Sequence, residues 1–253
     1  MKKSKVLLIL LIVCLFLQPC LGLPREEIQK FQTLWANKPV GERIAFWAEK
    51  FIGVPYDDDP LGEYVSRATI VTDERMDCMY LTFRVVELAL SHTPEEAVQI
   101  ALDKRFHSKG ALKEGRVTNY DDRFEYGEDM VESGKWGRDV TSEVGRTMKI
   151  KGSRGKDFAE ILPTDELLRG MSRLKSGDIL FFAAKPEKRK VDEIIGHMGV
   201  IKVEKMGRDP EDREVFLIHA SGKKGRGGAV KKVLLKGYLS KTDFPGVKIT
   251  RFQ

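Results

Sequence analysis

The hydrophobic period of this 253-residue chain changes once, and that change limits the folds open to it. In the first part, apolar residues recur three and four apart. Ile28, Phe31, Leu34 and Trp35 mark one amphipathic helix, and Ile44, Trp47, Ala48 and Phe51 mark a second, with Pro39 and Gly41 between them. "GVPYDDDPLG" (53–62) breaks the pattern with prolines, glycines and acids and reads as a loop. From Cys78, the positions Leu81, Val85, Leu88 and Ala89 give another helix face. Thr93 followed by Pro94, Glu95 and Glu96 is a helix start with a cap, a first-turn proline and early acids, and the spacing carries that helix to Lys104.

Residues 105–140 are polar, glycine-bearing and rich in Arg, Tyr and Trp, a connector long enough to imply a functional or mobile insert. Beyond it the signals are those of strands. "SGDILFFAA" (176–184) is a turn followed by an apolar run, and "HMGVIKVEK" (197–205) and "EVFLIHAS" (214–221) flank an enlarged hairpin tip. "KKVLLKGYL" and "VKITRF" are expected to add two further strands or edges. Helices first and consecutive antiparallel strands afterwards make an α+β fold.

The first 22 residues stand apart from this pattern. Lys2, Lys3 and Lys5 precede an unbroken apolar run from Val6 to Leu17, and small residues close the segment at Gly22. The run is short for a membrane span and has the layout of a secretory signal peptide, cut after Gly22 with Cys20 at the minus-three position. An uncleaved anchor ranks second and lipidation at Cys20 third. The chain is therefore expected to be exported, to the periplasm or cell envelope, with residues 23–253 forming one domain.

Cleavage lowers the net charge from +6 to +3 and leaves Cys78 as the single cysteine of a 231-residue chain. The remaining excess is too small to argue for nucleic acid, and "KPEKRK" (185–190) and "GKKGRGG" (222–228) read as solvated loops. A lone thiol in an exported protein is either a small buried hydrophobe or a reactive nucleophile. At a helix start, the free amides and the helix dipole would favour the thiolate.

A nucleophilic thiol needs a base, and the chain has four histidines. His92 and His107 fall near helix ends or in the long connector. His197 and His219 start and end the two strands of the hairpin, and antiparallel pairing makes them neighbours. No Asp, Glu or Cys cluster accompanies them to complete a metal site, so no metal or cofactor is called for. Asp77 reads as a helix N-cap and Asp178 as a turn residue.

An aspartate–cysteine pair opening a helix, followed in order by "SGDILFF", "GHMGVI" and "FLIHAS", resembles the NlpC-type papain-like cysteine hydrolases of bacterial cell walls. The resemblance implies a papain-like fold, with N-terminal helices and the nucleophile at a helix N-terminus packed on an antiparallel sheet or small barrel. It also implies Cys78 as nucleophile, His197 as base and His219 as the residue that orients the base, with Tyr56 of "GVPY" lining the site. The insert (102–145) and the closing "KITRF" resemble a branch of N-acetylmuramoyl-L-alanine amidases long catalogued as a domain of unknown function. Met79 and Tyr80 stand where the superfamily has small residues and would narrow the cleft. Tyr80, Arg123, Tyr126, Trp136 and Ser221 are the further candidate substrate contacts, the aromatics for stacking and the arginine for a carboxylate.

The function this implies is hydrolysis of the amide between N-acetylmuramic acid and L-alanine in peptidoglycan or muropeptides, by a monomer without cofactor. The alternatives are a γ-D-glutamyl endopeptidase, a non-catalytic cell-wall binding protein on the same fold and, more remotely, an acyltransferase.

Overall fold

The computed structural model describes residues 22–207, 212–223 and 225–253, so the segment expected to be a signal peptide, apart from Gly22, and the tip of the long hairpin lie outside the described residues. Five helices come first: α1 (Arg25–Trp35), α2 (Val40–Lys50), the single turn α3 (Glu63–Ser66), α4 (Cys78–Leu90) and α5 (Pro94–Lys104). Thr93 caps α5 by accepting the Glu96 amide at 3.1 Å. The helix ends at Lys104 as its spacing predicts.

The long connector is not a bare loop. It holds a small hairpin, β1 (Leu112–Lys113) with β2 (Arg116–Val117), then α6 (Gly127–Ser133) and β3 (Arg138–Asp139). Phe106, Phe124, Met130 and Trp136 are buried, so this region belongs to the core despite its polar composition. After α7 (Thr141–Val144) comes the hairpin of β4 (Met148–Lys151) and β5 (Phe158–Pro163), then α8 (Thr164–Gly170). The remaining elements are β6 (Ile179–Ala183), β7 (Ile195–Lys205), β8 (Arg213–Lys223), β9 (Gly227–Leu234), α9 (Leu235–Leu239) and β10 (Gly246–Arg251).

The large sheet is antiparallel, in the order β4-β5-β10-β6-β7-β8-β9, with β3 paired to β10. The fold is α+β. One expectation changes here: "LKGYL" is a helix, not a strand. Leu235 and Leu239, four apart, bury together against the sheet.

Both faces of the sheet are covered, which explains why β6 is apolar at every position. Ile179, Phe181 and Ala183 face the helical core, and Leu180 and Phe182 face a second core with Leu235, Leu239 and Ile249. Helix α4 is buried on all sides from Tyr80 to Ala89. Burial of Leu81, Phe83, Val85, Val86 and Leu88 stabilises by ~1.5–3 kcal/mol each.

The helix also takes charge inward. Glu87 accepts a bidentate pair of bonds from Arg105 at 2.6 and 2.7 Å, and Arg84 Nε bonds both Asp73 oxygens at 2.9 and 3.0 Å. Asp178 of "SGDIL" is fully buried and binds Arg251 of "KITRF" at 2.6 and 2.7 Å, joining β10 to the turn before β6. These paired charges hold α4 and the sheet in a fixed relation.

Candidate active site

The start of α4 is made by Asp77. Its carboxylate accepts the Tyr80 amide at 2.6 Å, and its backbone is extended, so the chain turns into the helix at Cys78. The approach is tied down on both sides. The Met76 amide bonds the Pro55 carbonyl and the Tyr56 amide bonds the Gly228 carbonyl, both at 2.9 Å. The "GVPY" loop is thus clamped between the segment leading to Cys78 and edge strand β9. Gly222 makes room for it: a Cβ there would lie 2.3 Å from the Tyr56 ring.

Strands β7 and β8 pair with Val200 opposite Ile218. On that register His197 and His219 share a face as diagonal neighbours, a separation that long side chains can bridge. His197 Nε2 and His219 Nδ1 are 2.8 Å apart. Gly199 permits the contact, because a Cβ at this position would sit 3.0 Å from that of His219. The β6–β7 register shifts between Phe182, opposite His197, and Ala183, opposite Ile195. Gly196 is therefore the extra residue of a bulge immediately before the histidine.

Aromatic rings enclose the pair. Phe244 lies parallel to His197 at 6.3 Å, Phe182 is 5.9 Å away, and Tyr238 stands edge-on to His219 at 4.8 Å. Burial holds His197 at about 3, with a smaller contribution from His219, and holds His219 at about 4, with Lys231 adding to the effect. Both imidazoles are neutral at physiological pH.

Cys78 is a free thiol with partial exposure, and the Met198 amide, next to His197 on β7, donates towards it. The helix-start argument predicts a lowered thiol pKa, yet the structure reverses it. Burial pushes the thiol up to about 12, the negative Asp77 adds to this, and the backbone donors of Met198 and Met79 offset only part. The resting site therefore holds a neutral thiol beside neutral imidazoles, not a preformed ion pair. Asp77 is itself raised to about 6 by burial, against the Tyr80 amide that lowers it.

A polar cleft of about 820 Å³ opens beside His197. Tyr56, Gly196, His197 and Ser221 line one part, and Tyr238, Lys241, Asp243 and Lys188 line another. Burial raises Tyr56 to about 12 and Tyr238 further still, and a thiolate at Cys78 would add to both. Lys188 pairs with Asp243. "KPEKRK" is thus not simply a solvated loop: Lys188 lines the cleft, and Arg189 donates to the Lys151 and Gly152 carbonyls at 2.8 Å.

The other candidates lie elsewhere. Tyr80 is 1% exposed, its hydroxyl bonded to Asp73 at 2.9 Å and to the Thr72 amide at 2.7 Å. Its ring points into the core, so it offers no stacking face and does not narrow the cleft. Trp136 is completely buried against Phe83. Arg123 is engaged by Glu125 at 2.8 Å and by the Tyr120 carbonyl at 3.0 Å, and Tyr126 carries the Arg154 guanidinium 3.6 Å above its ring. None of these four lines the cleft. Besides Tyr56, the aromatic residues of the cleft wall are Tyr238 and Phe244, which composition does not flag. The one available signal was the i,i+4 pair Leu235–Leu239, which turns "LKGYL" into a helix and brings Tyr238 to the histidines. Among the described residues, no group of three or more His, Cys, Asp or Glu is placed to hold a metal, and no helix is long and apolar enough to cross a membrane.

No family model matches the chain, and no curated protein matches it. Solved structures do. An N-acetylmuramoyl-L-alanine amidase from Bacteroides uniformis is 19% identical with a TM-score of 0.61, covering 84% of this chain and 98% of that one. A Legionella pneumophila protein assigned to DUF1460 is 17% identical with a TM-score of 0.65, covering 89% and 93%. A Bacteroides fragilis protein proposed to be a xylanase is 18% identical with a TM-score of 0.58, covering 82% and 100%. At these identities the likeness is one of fold. It extends over nearly the whole of each of these structures, so the chain shares their fold.

Proposed function

We propose that this protein is an exported cysteine amidase that cleaves the amide between N-acetylmuramic acid and L-alanine in peptidoglycan or its fragments. The observation that carries this is a thiol at a helix start, set against the strand that bears a hydrogen-bonded histidine pair, of which His197 lines an open polar cleft. The named activity of the Bacteroides uniformis neighbour supports the choice of bond. The apolar leader ending at Gly22 supports export.

His197 Nε2 is engaged by His219, which leaves Nδ1 free to take the Cys78 proton. Because thiol and imidazole both rest neutral, the proton moves as sulfur attacks the amide carbonyl. The sulfur–carbon bond forms, the carbonyl electrons go to oxygen, and backbone amides at the start of α4 stabilise that charge. Collapse breaks the carbon–nitrogen bond, and the imidazolium gives its proton to the leaving amine. Water, deprotonated by His197, then releases the acyl group and restores the thiol. His219 fixes the tautomer of His197 and shares its positive charge.

A glycosidase would need two carboxylates flanking the bond. The cleft lining contains one, Asp243, and Lys188 occupies it. The polar lining, with Lys188 and Lys241, suits an anionic sugar–peptide. Digestion of defined muropeptides by the wild type and Cys78→Ala, read by mass, tests the reading. Release of an intact stem peptide by the wild type alone is expected. Cleavage within the stem would instead indicate the γ-D-glutamyl endopeptidase, absence of turnover a binding protein, and activity in Cys78→Ala would remove the thiol from the mechanism.

A further inference from the structure

The connector contributes no aromatic or arginine to the cleft, yet one of its residues reaches the strand that carries the base. Glu128, in the first turn of α6, is 4% exposed. One of its carboxylate oxygens accepts the Ile194 amide at 3.0 Å and the other accepts the Ile195 amide at 3.1 Å. These are the last two residues before the Gly196 bulge and His197. On its other side Glu128 pairs with Arg154, at 3.3 Å, from the loop joining β4 and β5. Arg154 also binds Asp129 at 3.0 Å and stacks on Tyr126.

The preceding residue presses the helix onto the same strand. A Cβ on Gly127 would lie 2.6 Å from Ile195 Cγ2 and 3.1 Å from Met198 Cε, so only glycine lets α6 approach here. Met198 is the residue whose amide faces the Cys78 thiol. The α6 start thus touches β7 on both sides of His197.

A bulge is the least constrained part of a strand, since its extra residue lacks a ladder partner. Two bonds from one carboxylate to consecutive amides fix the direction in which the chain enters it. Charge-assisted bonds of this kind are stronger than neutral ones, and buried ones are not exchanged for water. We propose that Glu128 is a positioning residue. By clamping Ile194 and Ile195 it sets the Gly196 bulge, and with it the aim of His197 at Cys78. The connector then serves the chemical step from behind the strand. This inference rests on the reading of Cys78 and His197 as reacting groups.

Glutamine keeps the shape of Glu128 but presents one acceptor oxygen for two amides. In Glu128→Gln, kcat on muropeptide is expected to fall by about 10- to 100-fold with KM within about twofold, the usual scale for a misplaced catalytic group. Iodoacetamide alkylation of Cys78 near neutral pH is expected to slow towards the rate of His197→Ala. Asp129→Asn, which touches neither amide, should stay within about twofold of wild type. Should Glu128→Gln fail to fold, Arg154→Gln keeps the carboxylate and removes its cation, with an expected slowing of about 3- to 10-fold. If His197→Ala slows alkylation while Glu128→Gln and Arg154→Gln both match wild type, the positioning role is overturned and the base remains. If His197→Ala itself leaves alkylation and turnover unchanged, the base assignment falls and this inference with it.

Discussion

Two buried polar clusters flank the helix that begins at Cys78, and they are finished in opposite ways. Among the helices, Glu87, Arg105, Arg84 and Asp73 are all within 6% exposure, and every carboxylate meets a guanidinium. At the start of β7 and the end of β8, His197 is half-buried and His219 buried, and among the described residues no carboxylate pairs with either. In the first cluster burial lowers the Arg84 and Arg105 pKa values, but the Asp73 and Glu87 carboxylates beside them outweigh it. The second gives up its charge, with His197 at about 3 and His219 at about 4. Pairing of opposite charges makes a fixed scaffold. Withheld pairing leaves imidazoles able to accept a proton when a substrate supplies the reason.

That contrast can be broken by substitution. Cys78→Ala should abolish turnover, by about 10⁴-fold or more, because the groups of such a site act as a unit. Its urea midpoint should stay close to wild type. Glu87→Ala should do the reverse. It strands Arg105 in the core and is expected to cost about 3–5 kcal/mol of stability, measured by urea or thermal unfolding, with normal kcat per folded molecule. A large kcat loss in that variant would show that the scaffold and the reacting groups are not separable. His219→Ala should lower kcat by about 10²-fold, and His219→Asn, which still offers an acceptor, should recover part of this.

The pH dependence of stability sharpens the same point. Between the folded values of about 3 and 4 and the ordinary histidine value of 6.5, the unfolded chain binds more protons than the folded one. Stability is therefore intact above about pH 6.5 and lost as the pH falls towards 4 and 3. Asp77, raised from 3.8 to about 6, acts in the opposite sense between those values and shallows the acid limb. Cys78, raised from 9.0 to about 12, makes stability fall as pH climbs above 9. Urea midpoints from pH 4 to 10 should thus form a dome, and His219→Asn should flatten its acid side. The smallest effect is expected from Tyr238→Phe, which keeps the ring against His219 and removes a hydroxyl from the cleft wall. A change of about 2- to 10-fold in kcat/KM corresponds to one hydrogen bond.

The long helices and strands were legible because each has a periodic apolar face and flanking turn residues. Thr93 and Asp77 announced their caps, and "SGDILFFAA" announced a turn and an apolar strand. The connector misled because its apolar residues are sparse and its buried ones, such as Trp136 and Phe124, follow no period. Tyr80 and Tyr126 misled for a related reason. An aromatic residue can face a substrate or a core, and only its neighbours decide which. Tyr238 stayed hidden in a segment of five residues, where strand and helix patterns are hardly distinct.

By itself, the sequence determined the α+β order of elements, the helix that begins at Cys78, and the antiparallel pairing that makes His197 and His219 neighbours. These follow from local pattern, since period and turn chemistry act over a few residues. Only the tertiary structure decided that the thiol rests neutral, that Glu128 clamps the approach to His197, and that Tyr238 walls the cleft. Those outcomes depend on what surrounds each group. A helix start lowers a thiol pKa through its dipole, but burial in the assembled core raises it further, and burial is a property of the whole fold.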